Sequence, residues 1–173
     1  MGVGLVGKKA LITGASSGIG WHLALELASR GLDTALVARR LDRLDALRET
    51  IRERYGVESV VLQCDVSQPH QVDDLRTRVE EMWGPAGVDI LINNAGRGAY
   101  GPFESATIDD LQNVVGTNVL GVIYCCHAFL PGMLARRGGH LVFVSSVLGE
   151  LPAPGHAVYG ATKFAISGLA ESL

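Results

Sequence analysis

A tyrosine and a lysine late in the chain have the residue types and the spacing needed for acid–base chemistry. Tyr159 and Lys163 are four residues apart, so a helix would place both side chains on one face. A phenol has a pKa near ~10 and exchanges protons poorly at neutral pH, but an adjacent cation stabilises the phenolate and brings that pKa down. The chain has three lysines against twelve arginines, so a lysine at this position indicates chemistry, with a surface pair as the alternative.

Three further polar residues could complete such a site. Ser145 and Ser146 follow an apolar run typical of a strand, and a hydroxyl there can orient a carbonyl oxygen and stabilise its developing charge. A simple turn is the alternative for this serine pair. Asn118 lies in a long uncharged segment, and a buried asparagine needs hydrogen-bond partners. We expect it to be either a structural bridge in the core or a functional polar group.

The glycine-rich stretch ITGASSGIG, residues 12–20, follows a predicted strand and opens a predicted helix. This position in an open parallel sheet commonly binds phosphate, because the free N–H groups at a helix start favour an anion. A glycine permits the tight turn, and two more allow a pyrophosphate to come close. The spacing Gly-x3-Gly-x-Gly differs from the usual dinucleotide pattern. The cofactor-binding residues predicted here are Gly14, Ser16, Ser17, Gly18, Ile19 and Gly20.

The end of the second predicted strand indicates which nicotinamide cofactor is bound. An acid at this place bonds the ribose 2′-hydroxyl of NAD, whereas an arginine accommodates the 2′-phosphate of NADP. The chain has Arg39 and Arg40 here and no acid before Asp42. Arg39 is placed for a bidentate contact with a phosphate, and Arg40 could assist or stack on adenine. The sequence therefore favours NADP(H), with two surface arginines as the alternative.

Two more strand ends supply the remaining predicted nucleotide contacts. Asp65, in the sequence CDV, could bond the adenine amino group, although a helix-capping acid is the alternative. In the sequence NNAG, the two asparagines can bridge neighbouring strand ends, and the small residues after them leave room for a ribose. The further cofactor-binding residues predicted are Asp65, Val66, Asn93, Ala95 and Gly96, together with Tyr159 and Lys163.

Short apolar runs alternate with helical periodicity along the whole chain, which predicts a single α/β domain over residues 1–173. The predicted fold is a doubly wound parallel sheet of the Rossmann type, with its first five strands in the order 3-2-1-4-5. The predicted strands are 10–13, 34–37, 59–63, 89–92 and 140–145. The predicted helices are 18–29, 41–54, one capped by Ser67 and ending near 83, one from 111 to about 134, and one from 159 onward.

Composition excludes several classes of function. The net charge of −3 gives no basic field for nucleic acid. Cys64, Cys125 and Cys126 form no CxxC pair, so we expect buried reduced thiols in a cytoplasmic protein. Acids, histidines and cysteines show no metal-ligand spacing, and no catalytic metal is predicted. Residues 114–135 carry no charge, but their asparagine, histidine, proline and glycines favour a buried helix over a membrane span.

Taken together, these motifs resemble the short-chain dehydrogenase/reductase family. The residues that carry the resemblance cover nearly the whole chain in order: Thr13-Gly14-x3-Gly18-x-Gly20, Asp65, Asn93-Asn94-Ala95-Gly96, Asn118, Ser146 and Tyr159-x3-Lys163. The glycine spacing resembles the ordinary branch of the family and not its extended branch. The resemblance implies an NAD(P)-dependent oxidoreductase that interconverts a carbonyl and an alcohol.

The resemblance also implies a role for each catalytic residue. Tyr159 would be the general acid in reduction, and Ser146, which has the family's spacing to it, would hold the substrate oxygen. Lys163 would bind the nicotinamide ribose and lower the tyrosine pKa. Asn118 would hold a water in the proton relay behind the lysine. The cofactor supplies the hydride, and the protein supplies orientation and electrostatics.

Two expectations concern the substrate and the extent of the chain. The stretches GPFESATIDD and TKFAISGLAESL resemble members that act on lipophilic alcohols and ketones, such as steroids or retinoids. The resemblance also implies a homo-oligomer, because the long helices pack against a partner subunit in the family. The family continues past the last helix with further strands, a nicotinamide-contacting loop and a substrate lid, so the chain is expected to be short at its carboxyl end. The alternative function is therefore an NADP(H)-binding protein without activity of its own, or one that pairs with a complete subunit.

Overall fold

The computed structural model, which describes residues 5–85 and 87–173, has a five-stranded parallel sheet at its centre. The strands are β1 (Lys9–Thr13), β2 (Asp33–Ala38), β3 (Ser59–Gln63), β4 (Ile90–Asn93) and β5 (His140–Phe143). The helices are α1 (Gly18–Ser29), α2 (Leu41–Tyr55), α3 (Pro69–Trp83), α4 (Ile108–Val115), α5 (Gly121–Ala135) and α6 (Ala157–Ser172). The strands lie in the order β3-β2-β1-β4-β5, which confirms the predicted doubly wound sheet.

Helices cover both faces of the sheet, because successive side chains along each strand point to opposite faces. Leu11 and Leu91 pack in a core that includes residues of α3, α5 and α6. Their neighbours Ile12 and Ile92 pack in a second core against α1 and α2. This double burial explains why the central strands are largely apolar without polar alternation, whereas the edge strand β5 is only partly covered. Apolar contacts on both faces stabilise the sheet, so the loops at the carboxyl ends of its strands are available for binding and catalysis.

The helix predicted from residue 111 begins at Ile108 and contains a turn that the sequence did not predict. Thr107 caps α4, since its hydroxyl accepts a hydrogen bond from the Asp110 N–H at 3.1 Å. A π-helical turn, Gly116–Leu120, then joins α4 to α5 in one continuous helix, Ile108–Ala135. Its length and composition would allow it to cross a membrane, but α5 packs against the sheet in the core. We therefore interpret it as a core helix.

Two other predictions about helix ends and cysteines can be compared with the structure. The prediction that Ser67 caps α3 is wrong, because Gln68 is the N-cap and the Ser67 hydroxyl donates to Asp65 Oδ1 at 2.8 Å. The three cysteines are buried and unpaired, as predicted. Burial raises the pKa of the Cys64 thiol to about 12, which keeps it protonated at neutral pH.

The carboxyl ends of all five strands lie at one edge of the sheet, because the strands are parallel. The predicted strand His140–Ser145 is shorter in the structure, although the Val144 N–H still donates to Asn93 O at 3.0 Å. Beyond this pair the chain turns into a short 3₁₀ helix, Val147–Gly149. The loops after β1, β2, β3, β4 and β5 thus meet at the edge where doubly wound sheets bind their ligands.

Candidate active site

The loop after β1 is fixed to the end of β4 by a very close approach of backbone to side chain. Asn94 Nδ2 donates to Thr13 O at 2.8 Å and to Gly14 O at 3.3 Å. Gly14 has a φ of +69°, a left-handed conformation that favours glycine. A Cβ on Gly20 would lie 2.4 Å from Asn94 Nδ2 and 2.5 Å from Gly14 O, so only glycine fits there. Packing of the loop on Asn94 therefore explains the glycines at 14 and 20, whereas Gly18 has open space around it and a left-handed φ of +60°.

Thr13 also holds the loop after β1 to the end of β4, a contact that was not predicted from the sequence. Its hydroxyl accepts hydrogen bonds from the N–H groups of Asn94 and Ala95, both at 3.0 Å. The same hydroxyl is 3.2 Å from Ile92 O, to which it can donate. Thr13 is nearly fully buried, at 2% exposure, so its three bonds replace water completely. The start of the glycine-rich loop and the NNAG turn are thus one rigid unit.

The predicted phosphate and adenosine residues surround one cavity of about 340 Å³. Arg40 Nη2 donates to Ser16 Oγ at 2.9 Å and to Ser17 Oγ at 2.8 Å. Arg39 Nη1 lies 3.7 Å from Asp65 Oδ2. The predicted residues that line the cavity are Gly14, Ser16, Ser17, Arg39, Arg40, Asp65, Val66, Ala95 and Gly96. The structure brings these residues together from four different loops.

Asn93, like Gly18 and Gly20, is a predicted nucleotide contact that lines neither this cavity nor the one beside Tyr159. It is 3% exposed, and its Nδ2 contacts Cys126 Sγ on α5 at 3.5 Å. Within residues 5–85 and 87–173, no partner is found for its Oδ1. Asn93 lines neither this cavity nor the one beside Tyr159, and it is Asn94 that bridges the strand ends.

A second cavity, of about 250 Å³, lies next to the predicted catalytic pair. Lys163 is 7% exposed, and its Nζ donates to Val144 O at 2.8 Å and lies 5.6 Å from the centre of the Tyr159 ring. Burial lowers the pKa of Lys163, because the charged ammonium is partly removed from water. The residues that line this cavity are Gly14, Ser17, Ile19, Asn94, Gly96, Arg97, Gly98, Val144, Ser145, Tyr159 and Lys163. The glycine-rich loop and the predicted catalytic pair therefore face the same space.

Asn118 lies in the π-helical turn and connects the loop after β4 to the helix of the catalytic pair. Its Oδ1 accepts from the Arg97 N–H at 2.8 Å, and its Nδ2 donates to Arg97 O at 2.9 Å. Nδ2 also donates to Thr162 Oγ1 at 3.1 Å, and Thr162 Oγ1 donates to Tyr159 O at 2.7 Å. The side chain is thus a structural bridge, one of the two roles left open by the sequence. Its predicted part in a proton relay stays a prediction.

The two serines after β5 have different surroundings. Ser146 Oγ accepts from the Leu148 N–H at 3.2 Å and so caps the 3₁₀ helix. Ser145 Oγ lies 3.5 Å from Lys163 O and 3.3 Å from Ser167 Oγ on α6. Ser145, and not the predicted Ser146, lines the cavity beside Tyr159. The assignment of Ser146 to the substrate oxygen stays a prediction.

A third cavity, of about 360 Å³, shares Arg97 and Gly98 with the cavity beside Tyr159 and is also lined by Val158, the sequence neighbour of Tyr159. It is bounded by residues 97–106, by α4 and by the start of α6. The rings of Tyr100 and His156 contact each other in a tilted arrangement, with centroids 4.9 Å apart, and the His156 ring is 6.3 Å from the Tyr159 ring. The Gly101 N–H also donates to Gly155 O at 2.9 Å, which joins the two loops. The loop after β4 and the start of α6 thus enclose a space beside the helix that carries Tyr159.

The part of the chain that the structure describes contains no group of three or more His, Cys, Asp or Glu side chains arranged to hold a metal ion. The polar side chains around the three cavities include hydroxyls, amides, guanidinium groups and one ammonium, together with the carboxylates of Asp65 and Asp110. These groups suit a phosphorylated organic ligand and proton transfer.

Comparisons with known proteins agree with this arrangement. A family model described as short chain dehydrogenase matches residues 8–173. The mouse 3-ketodihydrosphingosine reductase is 38% identical over 173 residues, which cover 98% of this chain and 52% of the mouse protein. The chain therefore spans about half the length of that relative.

Solved structures similar to the chain contain nicotinamide cofactors of both kinds. A short-chain dehydrogenase from Sphingobium yanoikuyae in complex with NADPH has a TM-score of 0.89 and 37% identity, covering 96% of this chain and 64% of the other. A short-chain dehydrogenase/reductase from Burkholderia phymatum in complex with NAD has a TM-score of 0.93 and 35% identity, covering 99% and 60%. The neighbours confirm the fold but leave the choice of cofactor to the residues of this chain.

Proposed function

Because the chain belongs to the short-chain dehydrogenase family of oxidoreductases, we propose that it forms the NADP(H)-binding and catalytic part of a carbonyl reductase or alcohol dehydrogenase. The observation that carries this proposal is the convergence of the glycine-rich loop with Tyr159 and Lys163 on one cavity. A structural role for the same residues would not require an open space of about 250 Å³ between them.

The shape of the site fits a dinucleotide. The two cavities of about 340 and 250 Å³ have residues of the glycine-rich loop and of the NNAG turn in common. A dinucleotide consists of two nucleosides joined by a pyrophosphate, so one nucleoside would occupy each cavity. The N-terminus of α1 lies at the glycine-rich loop, where its free N–H groups favour the pyrophosphate.

Each catalytic residue has a distinct task in the proposed reduction. Tyr159 would donate its phenolic proton to the carbonyl oxygen of the substrate, and a bound nicotinamide would supply hydride to the carbonyl carbon. The buried ammonium of Lys163 stabilises negative charge on the phenol oxygen and can donate to ribose hydroxyls. A serine hydroxyl, Ser146 by its spacing to the tyrosine, would hold the carbonyl oxygen. In oxidation of an alcohol the same residues act in reverse.

Asn118 would act on this site through the backbone. Its bonds to Arg97 and Thr162 fix the loop after β4 against the helix that carries Tyr159. This bridge would hold the loop beside the cofactor at a fixed separation from Tyr159. That separation matters because the rate of proton transfer depends on the distance from the acid to the carbonyl oxygen.

The preference for NADP(H) is proposed to depend on Arg39. Its guanidinium is exposed at the end of β2 and lies 3.7 Å from Asp65 Oδ2, so it can turn to a phosphate at small cost. We expect Arg39→Ala to weaken NADPH binding by about 10- to 100-fold, the effect of losing a charge-assisted bond. Binding of NADH should change by less than about threefold. Fluorescence titrations of both proteins with both cofactors measure this.

An equal loss for NADPH and NADH in Arg39→Ala would contradict the assignment, because only NADPH carries the 2′-phosphate. Arg54→Ala is a suitable control, since Arg54 is also exposed and lies at the opposite end of α2. It should leave both affinities unchanged.

A binding protein without activity is the second candidate. The cavity of about 340 Å³ is compatible with it, because Arg39, Arg40 and Asp65 would bind a nucleotide with or without turnover. The two candidates differ in turnover and in their response to Tyr159→Phe. The expected lipophilic substrate, the homo-oligomer through the long helices and the cytoplasmic location stay predictions.

A further inference from the structure

Arg97 belongs to none of the motifs recognised in the sequence. Its side chain is exposed and lines all three cavities of the site. It follows the NNAG turn directly, between Gly96 and Gly98. We call the cavities of about 340 and 250 Å³ the two nucleotide cavities. They have four lining residues in common, namely Gly14, Ser17, Gly96 and Arg97. These four residues mark the passage between the two cavities, and Arg97 is the charged one among them.

The passage is the part of the site that a pyrophosphate would occupy. If the two nucleosides of a dinucleotide occupy the two cavities, as the proposed function requires, the group that joins them must lie between them. Gly14 and Ser17 line the passage from the glycine-rich loop, at the N-terminus of α1. Gly96 and Arg97 line it from the loop after β4. A ligand in the passage would therefore meet the helix N-terminus from one loop and a guanidinium from another.

The other cations of the nucleotide cavities already have partners in the protein. Arg39 pairs with Asp65, Arg40 donates to two serine hydroxyls, and Lys163 donates to a backbone carbonyl. In contrast, the guanidinium of Arg97 has no hydrogen bond or ion pair with any residue of 5–85 or 87–173. A free guanidinium beside a helix N-terminus is suited to a bidentate contact with phosphate oxygens.

The backbone of Arg97 is fixed even though its side chain is free. Asn118 bonds both the N–H and the C=O of Arg97, at 2.8 and 2.9 Å. Such a bond pair holds the Cα in place while the long side chain can still reach different parts of the passage. The same asparagine is bonded to Thr162, which is bonded to Tyr159 O, so the backbone of Arg97 has a defined position relative to α6.

We propose that Arg97 binds the pyrophosphate of the dinucleotide from the side opposite the glycine-rich loop. The site then has two phosphate-binding elements, the N-terminus of α1 and this arginine. The inference rests on the proposed function, because it requires a dinucleotide in the two cavities. It assigns to Arg97 a role in binding the part of the cofactor that NADP(H) and NAD(H) share.

Ligands with and without the pyrophosphate test this role. We expect Arg97→Ala to weaken binding of NADPH and of 2′-phospho-ADP-ribose by about 10- to 100-fold, the range for losing a hydrogen bond to a charged group. Binding of 2′-AMP, which has no pyrophosphate, should change by less than about twofold. Arg97→Lys should recover part of the loss, since lysine keeps the charge but lacks the bidentate geometry. Isothermal titration calorimetry measures all three ligands, and circular dichroism checks that the variants are folded.

The control is Arg54→Ala, which removes the same charge from an exposed position at the far end of α2. The inference is overturned if Arg97→Ala binds NADPH as tightly as this control does. It is also overturned if binding of 2′-AMP weakens as much as binding of NADPH, because the arginine would then act on the adenosine part of the ligand. If the wild-type protein binds neither NADPH nor NADH, the proposed function fails and this inference fails with it. Binding by the wild type that is insensitive to Arg97 contradicts this inference alone.

Discussion

Replacing Tyr159 by phenylalanine is expected to lower kcat/KM for ketone reduction by about 10²- to 10⁴-fold, the usual contribution of a general acid. The substitution removes a single hydroxyl. Tyr159 Oη has no hydrogen-bond partner within residues 5–85 and 87–173, so its loss leaves no buried group unsatisfied. The dissociation constant for NADPH should stay within about threefold of the wild-type value. Turnover is measured as NADPH oxidation with a panel of aliphatic, aromatic and steroid ketones.

Tyr55→Phe is the matched control for this experiment. Tyr55 is the last residue of α2 and lies outside the three cavities of the site, so the same loss of a hydroxyl should leave turnover unchanged. If Tyr159→Phe retains activity within a few-fold of the wild type, the tyrosine is not the acid. If both the wild type and the variant bind NADPH and neither reduces any ketone, the binding protein is the correct interpretation.

Replacing Gly20 by alanine is expected to disrupt the nucleotide site and to lower the free energy of unfolding by ~3 kcal/mol. The added Cβ would lie 2.4 Å from Asn94 Nδ2 and 2.5 Å from Gly14 O, so the loop and α1 must move apart. That movement breaks the bonds from Asn94 that fix the loop to β4. NADPH binding should fall by more than about tenfold, because the loop no longer presents its N–H groups to the pyrophosphate. Denaturant unfolding and calorimetric titration measure the two effects.

Gly168→Ala provides the control for the added methyl group. Gly168 is in α6, and a Cβ there would have no atom within 4 Å. This variant should be more stable by ~0.5–1 kcal/mol, because glycine is unfavourable in a helix interior. Equal stability of the Gly20→Ala and wild-type proteins would show that the close approach to Asn94 is not required for the fold.

The architecture could be predicted from the sequence because it follows from local patterns. Alternating apolar runs and helical periodicity predicted the elements, and the parallel order followed from the known handedness of crossovers. Ends of elements were less certain. For the end of β5, Val144 keeps one bond to the neighbouring strand while Ser146 already caps the next turn.

The details of the site depend on contacts that residue types alone do not reveal. The π-helical turn at Asn118 has the same residue types as an ordinary helix, because only the hydrogen-bond register differs. Asn93 and Asn94 were predicted to act together, but neighbouring residues of a strand point to opposite faces. The period of two could therefore have indicated that only Asn94 reaches the glycine-rich loop.

Arg97 was missed because its sequence neighbourhood resembles an ordinary loop. Arg97 was noticed because it lines three cavities and because its guanidinium has no partner among the described residues. Both observations require coordinates. The serine assignment has a similar limit, since spacing indicates Ser146 whereas the cavity is lined by Ser145. In both cases the direction of the side chain and its distance from the cavity determine which residue lines the site. The sequence shows only the order of the residues along the chain.

A fluorescence titration of the purified protein with NADPH and, separately, with NADH is the most direct test of the proposed nucleotide site. We expect saturable binding of both cofactors with a clear preference for NADPH, because Arg39 would contact the 2′-phosphate and the shared passage would hold the pyrophosphate. Absence of saturable binding by the folded protein would show that the two cavities do not form a nucleotide site.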